Sequence, residues 1–246
     1  MYGGAFEIPM LIRAVVGRSW GQGPQHSQSL QALFAHIPGL TVIMPSTAED
    51  AYNSYLYAAT KFKNPVLSIE HRFLYELTFQ SQNDSERNQS PFLSRIVQEG
   101  DDVTIVATSY MVQEAQRASL WFQKHSQLTC EIIDLHCVTQ IDHNVVVNSI
   151  KKTGRLIIAD TSWKEYGVVA EVSRGVLENN PHVLKKPVIS LGMQPSPCPT
   201  SHNLENEFYP DMSEIVRAIS QLTEVVVEVP SKAFAKSLRK EFRGPF

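Results

Sequence analysis

Apolar residues along the chain come in short bursts, divided by polar punctuation and by amphipathic stretches. PMLIRAVVG (9–17) is rich in β-branched residues and closed by glycine, which predicts a buried strand. RSWGQGPQHSQ follows as a Gly/Pro-rich loop. SLQALFAHIPGL then sets Leu30, Leu33, Phe34 and Ile37 at helical spacing and stops at Pro38-Gly39. TVIMP (41–45) predicts a second strand. Ser46 and Thr47, with Glu49 and Asp50 behind them, supply a cap and an acidic first turn for a helix over 47–62. NPVLSIEH (64–71) predicts a third strand. Strand and helix alternating in this way predict parallel βαβ units.

The alternation breaks at QSQNDSERNQSP (80–91), which is polar and without period, and resumes afterwards. Strands are expected at 102–109, 130–138, 155–162 and 187–193. Helices are expected at 110–126, 142–152, 166–178 and about 211–222, the last after a Pro-rich loop, PSPCPT. The organisation is therefore a first α/β domain over 1–80, a linker over 81–95, a second α/β domain over 96–224 and a basic tail over 225–246. The tail holds Lys232, Lys236, Arg239, Lys240 and Arg243, and reads either as a solvated terminal helix or as a basic amphipathic one touching a membrane or an acidic partner.

At 246 residues the chain is long enough to bury a substantial core. Its formal net charge of −3 leaves no basic surplus for a phosphate backbone, which argues against a dedicated nucleic-acid binder. Cys130, Cys137 and Cys198 form no CxxC pair, so neither a disulfide framework nor a zinc knuckle is supported. With neither a signal-peptide pattern nor a long apolar run, the expectation is a cytoplasmic protein with no membrane contact through a spanning helix.

The densest chemical signal is GQGPQHSQS (21–29). Gly21, Gly23 and Pro24 shape a loop after a strand, His26 sits where that loop meets a helix, and Ser27 and Ser29 are candidate caps. In open α/β sheets this is where ligands bind, and a histidine there donates a hydrogen bond or moves a proton near neutral pH. The alternative is a loop histidine that caps backbone carbonyls. His136 and Cys137 form no catalytic pair, because adjacent strand residues point to opposite faces; strand-end packing is expected for them.

GQGPQHSQSLQALFAHIPGLTVIMPST, followed by NPVLSIEH, resembles the β subunit of the thiamine-diphosphate-dependent decarboxylase component of 2-oxoacid dehydrogenases. DVTIVATSYMVQEA, EIIDLHCVTQID and KKTGRLIIADTSWKEYGVVAEV resemble, in order, the transketolase-type C-terminal domain of the same subunit. The resemblance implies an incomplete pyrimidine-binding-type parallel-sheet domain followed by a transketolase C-terminal-type domain. It implies an α2β2 assembly with an α subunit, contact between β copies, and transfer of an acyl group to a lipoyl acyltransferase component. Thiamine diphosphate would lie at the α interface, with magnesium held by the partner. The family's active-site histidine maps to His26, flanked by Gln25 and Ser27, where it would hydrogen-bond the 2-oxoacid or the lipoyl acceptor.

Three departures bear on this expectation. Relatives carry a stretch before the segment that begins here at Tyr2, including first-domain strands and the glutamate that activates the cofactor; Glu7 lies in the wrong place for that role. A chain with an open sheet edge and no activity alone is therefore expected. The potassium site of relatives maps to Ala59, Thr60 and Asn64, but Phe62 stands where they have an aspartate, so no metal is expected. Asp134, Leu135, His136 and Cys137 replace the usual Asp-Leu-Arg-Thr, losing an arginine. Glu70 and His71 match a family Glu-His, with Glu70 expected at the active-site wall, at a subunit interface or paired with Arg72 on the surface. Trp163, Tyr166 and Gly167 resemble a family turn, read as interface packing, and Asp134 and Asp160 as strand-end caps. The alternatives to a decarboxylase β subunit are a transketolase-like transferase half and a degenerate, non-catalytic assembly fragment.

Overall fold

The computed structural model of the chain describes residues 5–18, 21–79 and 90–238. Three strands make the first sheet: β1 (Leu11–Val16), β2 (Thr41–Ile43) and β3 (Val66–His71), in the order β1-β3-β2 and all parallel. The connections are α1 (Gln31–Ala35) and α2 (Ala48–Thr60). β3 is central and buried along its whole length, whereas β1 is an edge. Its apolar side chains Ile12 and Val15, with Phe6, Ile8 and Met10 just before it, are exposed. The helix expected after Pro45 forms because Thr47 accepts a hydrogen bond from the Asp50 amide at 3.1 Å, closing the first turn over two acidic residues.

The second sheet has the order β4-β6-β5-β7-β8: β4 (Arg95–Gln98), β5 (Val103–Ala107), β6 (Cys130–Asp134), β7 (Leu156–Trp163) and β8 (Ile189–Met193). Only β4 runs antiparallel. Helices α3 (Tyr110–His125) and α7 (Met212–Thr223) cover one face, and α4 (His143–Thr153) and α5 (Val168–Asn179) the other. Along β5 the alternation is explicit: Val103, Ile105 and Ala107 enter the α3/α7 core, and Val106 enters the α4/α5 core. α4 starts on the Asp142 carboxylate and ends at Gly154 in the left-handed region, φ 72°. No helix among the described residues is long and apolar enough to cross a membrane.

Three parts of the fold differ from the sequence expectation. β4 was not anticipated: most of the expected linker lies outside the described residues, but Arg95 belongs to a strand and Phe92 is buried between Tyr57 and Phe62. Phe62 is thus used for aromatic packing, and Thr60 donates to the Leu56 carbonyl at 2.6 Å. The Pro-rich loop runs into a further helix, α6 (His202–Phe208). The described part of the tail is largely exposed to solvent but anchored at points to the second unit. α8 (Lys232–Ser237) is capped by Ser231 and buries Ala235 in the α3/α7 core, and Lys232 pairs with Glu207 and Glu214. Arg239, Lys240 and Arg243 lie outside the described residues.

The two units share a core. The α4/α5 cluster continues through Val16, Val42, Met44, Leu67 and Ile69 of the first sheet. The segment after β6 runs antiparallel to β2: Met44 donates to the His136 carbonyl at 2.7 Å and Val138 to the Val42 carbonyl at 3.0 Å. Beside this seam lies a buried charge cluster. Arg95 donates to both oxygens of Asp50 and, at 3.2 Å, to Asp134. Ser46 bridges the two carboxylates, at 2.6 Å from Asp134 and 3.1 Å from Asp50. His136 adopts the left-handed region, φ 54°, and its Nε2 lies 2.8 Å from Ser54 Oγ on α2. Neither Asp134 nor His136 is simple strand-end furniture; both tie the second unit to the first. Cys137 turns the other way, to Thr139 Oγ1 at 3.3 Å.

Removing the cation from this seam leaves two buried carboxylates facing each other. Arg95→Leu is expected to cost about 3–5 kcal/mol in urea unfolding, with Arg95→Lys costing less. The cluster also sets a pH dependence. Burial pushes Asp134 up to about 6 against the pull of Arg95, and Asp50 adds to the rise. Burial would raise Asp50 too, but hydrogen bonds and charge from Arg95 hold it down at about 2. Unfolded aspartate titrates at about 4. Asp134 therefore binds its proton more tightly when folded, and its contribution to stability declines as pH rises from about 4 to 6. The contribution of Asp50 is lost as pH falls from about 4 towards 2. Urea midpoints of Asp134→Asn should lose the decline between pH 4 and 6 and keep the one at lower pH; an unchanged profile would refute the assignment.

Candidate functional site

The chain leaves β1 through Gly17, whose φ of +101° and closeness to the His71 ring, 2.7 Å from where a Cβ would lie, exclude other residues. His71 is itself fixed, stacked on Tyr110 at 4.8 Å and 16°, its Nδ1 accepting from the Phe73 amide. The chain returns through Gly21 and Gly23, both in the left-handed region. Cβ atoms there would meet Thr200 of the second unit at 2.8 and 2.9 Å. The loop is thus moulded against a distant segment. Pro24, Gln25 and His26 form the outward turn, with Gln25 and His26 exposed; no hydrogen-bond partner of the His26 ring is seen among the described residues.

Beyond the turn the chain forms no regular structure up to α1, and Ser27, Ser29 and Gln31 are buried while Gln28 faces solvent. The serines do not cap α1, whose first turn follows Leu30 with no side-chain cap. Ser27 is instead held from the second unit, where Tyr209 donates to its carbonyl at 2.5 Å. Gln31 donates 2.9 Å bonds to both oxygens of Asp160, which lies within β7 just past its last pair with β5, and Thr108 and Ser162 donate to the same carboxylate. Asp160 is therefore no helix cap but the anchor of the histidine loop on the second sheet. Trp163 packs beside Cys198, Phe208 and Tyr209, with its Nε1 on the Gln194 carbonyl; Tyr166 is fully exposed.

Two buried arginines underlie the loop. Arg18 donates to the Glu205 carbonyl at 2.9 Å and lies 4.8 Å from the Tyr209 ring centre. Arg72 donates to the Val16 carbonyl, to Gln22 Oε1 and to the His26 carbonyl. Burial lowers its pKa. Burial raises the Tyr209 hydroxyl well above its ordinary range. Arg18, Arg72, Thr200 and Tyr209 escape a reading of the sequence because they come from other elements; the signal within reach was the three glycines, which imply something pressed against the loop.

Arg72 does not pair with Glu70. The buried Glu70 carboxylate takes a bidentate contact from Arg13, at 2.6 and 2.7 Å, and hydrogen bonds from Tyr55 and Tyr75. Burial alone would raise its pKa, but these donors hold it below the ordinary range. The group borders a cleft of about 520 Å³ at the carboxyl ends of the first-sheet strands, lined also by Pro45, Ala48 and Leu77. Asp50, Asp134 and His136 place ligand atoms within 4.8 Å of one another, a spacing that suits a metal ion. Arg95 already supplies the positive charge there, and Ser54 engages His136.

Comparison with known proteins agrees with this arrangement. Residues 2–78 match the family described as transketolase, pyrimidine binding domain, and residues 94–215 match transketolase, C-terminal domain. The pyruvate dehydrogenase E1 component subunit beta-1 of Oryza sativa is 35% identical over 223 residues, which are 89% of this chain and 59% of that protein. The E1 subunit beta of Rickettsia conorii is 32% identical over 90% of this chain and 67% of its own. The acetoin:2,6-dichlorophenolindophenol oxidoreductase subunit beta of Cupriavidus necator is 34% identical over 89% and 64%. A split-gene transketolase, solved as an inactive β4 tetramer, superposes with a TM-score of 0.69 at 19% identity, over 91% of this chain and 70% of that one. The chain thus spans about three fifths of the rice relative's length. By these matches and by the two sheets that carry them, the chain belongs to the transketolase-like family that includes the β subunits of the pyruvate dehydrogenase E1 component.

Proposed function

We propose that the chain serves as the β-type subunit of a 2-oxoacid dehydrogenase, acting with an α subunit in oxidative decarboxylation and acyl transfer to a lipoyl carrier. The observation that carries this reading is the histidine loop: His26 stands exposed on a turn that both units contact. Thiamine diphosphate, at the interface with the α partner, would supply the electron sink. The described residues fit its reacting edge and not its activation. Glu70 is committed to Arg13 and two tyrosines, Asp50 to Arg95, and Glu7 to Lys63 on the surface. None of these three is free to act on an aminopyrimidine, so none of them is assigned the activation step, and magnesium is assigned to the partner.

What the chain contributes is a positioned donor. His26 presents an imidazole beside the reacting carbonyl, where a hydrogen bond aimed at developing negative charge lowers the barrier without reorganisation. Gln25 shares the exposed turn and Ser27 anchors it. The exposed apolar side chains along β1 are consistent with a partner covering that edge.

In the complex assembled with an α subunit, His26→Ala should lower turnover with a lipoyl acceptor by about 10²–10⁴-fold while leaving cofactor affinity nearly unchanged. A comparable loss in cofactor binding would argue against its placement at the reacting atoms. The isolated 246-residue chain, given thiamine diphosphate, magnesium and a panel of 2-oxoacids, should release no carbon dioxide. Robust release would overturn the two-subunit reading.

A further inference from the structure

We infer that Arg72 is the positioning residue of the histidine loop, one buried guanidinium that spans both arms of the loop and fixes the turn carrying His26. Its use in catalysis rests on the function proposed above; the clamp itself does not. Arg72 opens the 3-10 turn Arg72–Leu74 directly after β3 and is 7% exposed. Its Nε donates to the carbonyl of Val16, the last residue of β1, at 3.3 Å. Nη1 donates to Gln22 Oε1 on the returning arm, and Nη2 to the His26 carbonyl at 3.4 Å. The three acceptors lie where the loop leaves the sheet, midway along it and at its tip.

Each of these three acceptors is a neutral oxygen, so the contacts are charge-assisted on one side, and they add up by acting on three points of one loop. The other ties on the loop, Tyr209 to Ser27 and Gln31 to Asp160, hold the segment beyond the turn. Among the described residues, Arg72 is the side chain whose hydrogen bond lands on His26 itself. Gly17 completes the device. It lets the chain swing over the His71 ring, next in sequence to Arg72, so that strand end and guanidinium come together. A lysine would not replace the arginine, since a single ammonium cannot reach three acceptors in a planar fork.

The test is ¹⁵N relaxation on the full chain, read at the amides of residues 22, 23, 25 and 26. The wild type should show order parameters of about 0.85; Arg72→Ala should bring them below about 0.6, with core methyl resonances such as Val106 and Ile133 unmoved. Ethylguanidinium should restore the wild-type values in that variant, and Arg72→Lys should stay loose. Gln22→Leu removes one acceptor at a half-exposed position and should loosen the turn part of the way, which decides the matter if Arg72→Ala fails to fold. Unchanged order parameters at residues 25 and 26 in the folded variants would overturn the clamp, as would loosening that ethylguanidinium cannot reverse. In the assembled complex, a loosened turn should lower kcat about tenfold or more, with KM for the 2-oxoacid little changed. Undiminished kcat with a loosened turn would overturn the catalytic use of His26 and leave the clamp standing.

Discussion

The arrangement depends on how a charge is buried at the seam between two small sheets. A three-stranded sheet with one short helix and one longer one has little core of its own. It gains one by sharing the α4/α5 cluster of the second unit, and the sharing needs β2 to lie against the strand end at 136–139. That approach brings Asp50 and Asp134 together in a place water does not reach. Arg95, from an edge strand, makes the approach tolerable by placing one cation between two carboxylates. Once the seam is set, the carboxyl ends of both sheets are presented to the same loop.

The loop in turn shows how a flexible-looking sequence becomes rigid. Its glycines are there because something else occupies the space a side chain would need: the His71 ring under Gly17, and Thr200 against Gly21 and Gly23. Hydrogen bonds from Arg72, Tyr209 and Gln31 then tie its two arms to different units. The outcome is an exposed imidazole on a turn held from both units.

Most of the fold was legible in the sequence because parallel strands buried on both faces read as short apolar runs, and their helices carry clear caps such as Thr47 and Asp142. What was not legible is as informative. β4 is an edge strand of four residues next to a polar run, so its pattern is weak, although its Arg95 is central to the seam. Ser27 and Ser29 have the chemistry of helix caps, yet α1 starts only after Leu30, and the segment before it is held by Tyr209 on the Ser27 carbonyl and by Gln31 on Asp160. For Glu70 the sequence left an active-site wall, a subunit interface and a surface pair with Arg72 open. Strand geometry sent the glutamate to Arg13 across the sheet and the arginine into the loop. In each case the deciding partner lies far along the chain, where local spacing carries no information.

The distance between Ser27 and Tyr209, 182 residues along the chain, has a consequence for how such proteins diversify. Two genes that recombined within the segment joining the units would mate a histidine loop from one parent with the Thr200 wall and Tyr209 anchor of the other. Local similarity around His26 would survive such an exchange intact, while the surface that shapes the loop would be foreign. Inheritance of the site is therefore tied to inheritance of both units together, and a chimera that keeps every residue of the motif still forfeits the mould in which the motif takes its form.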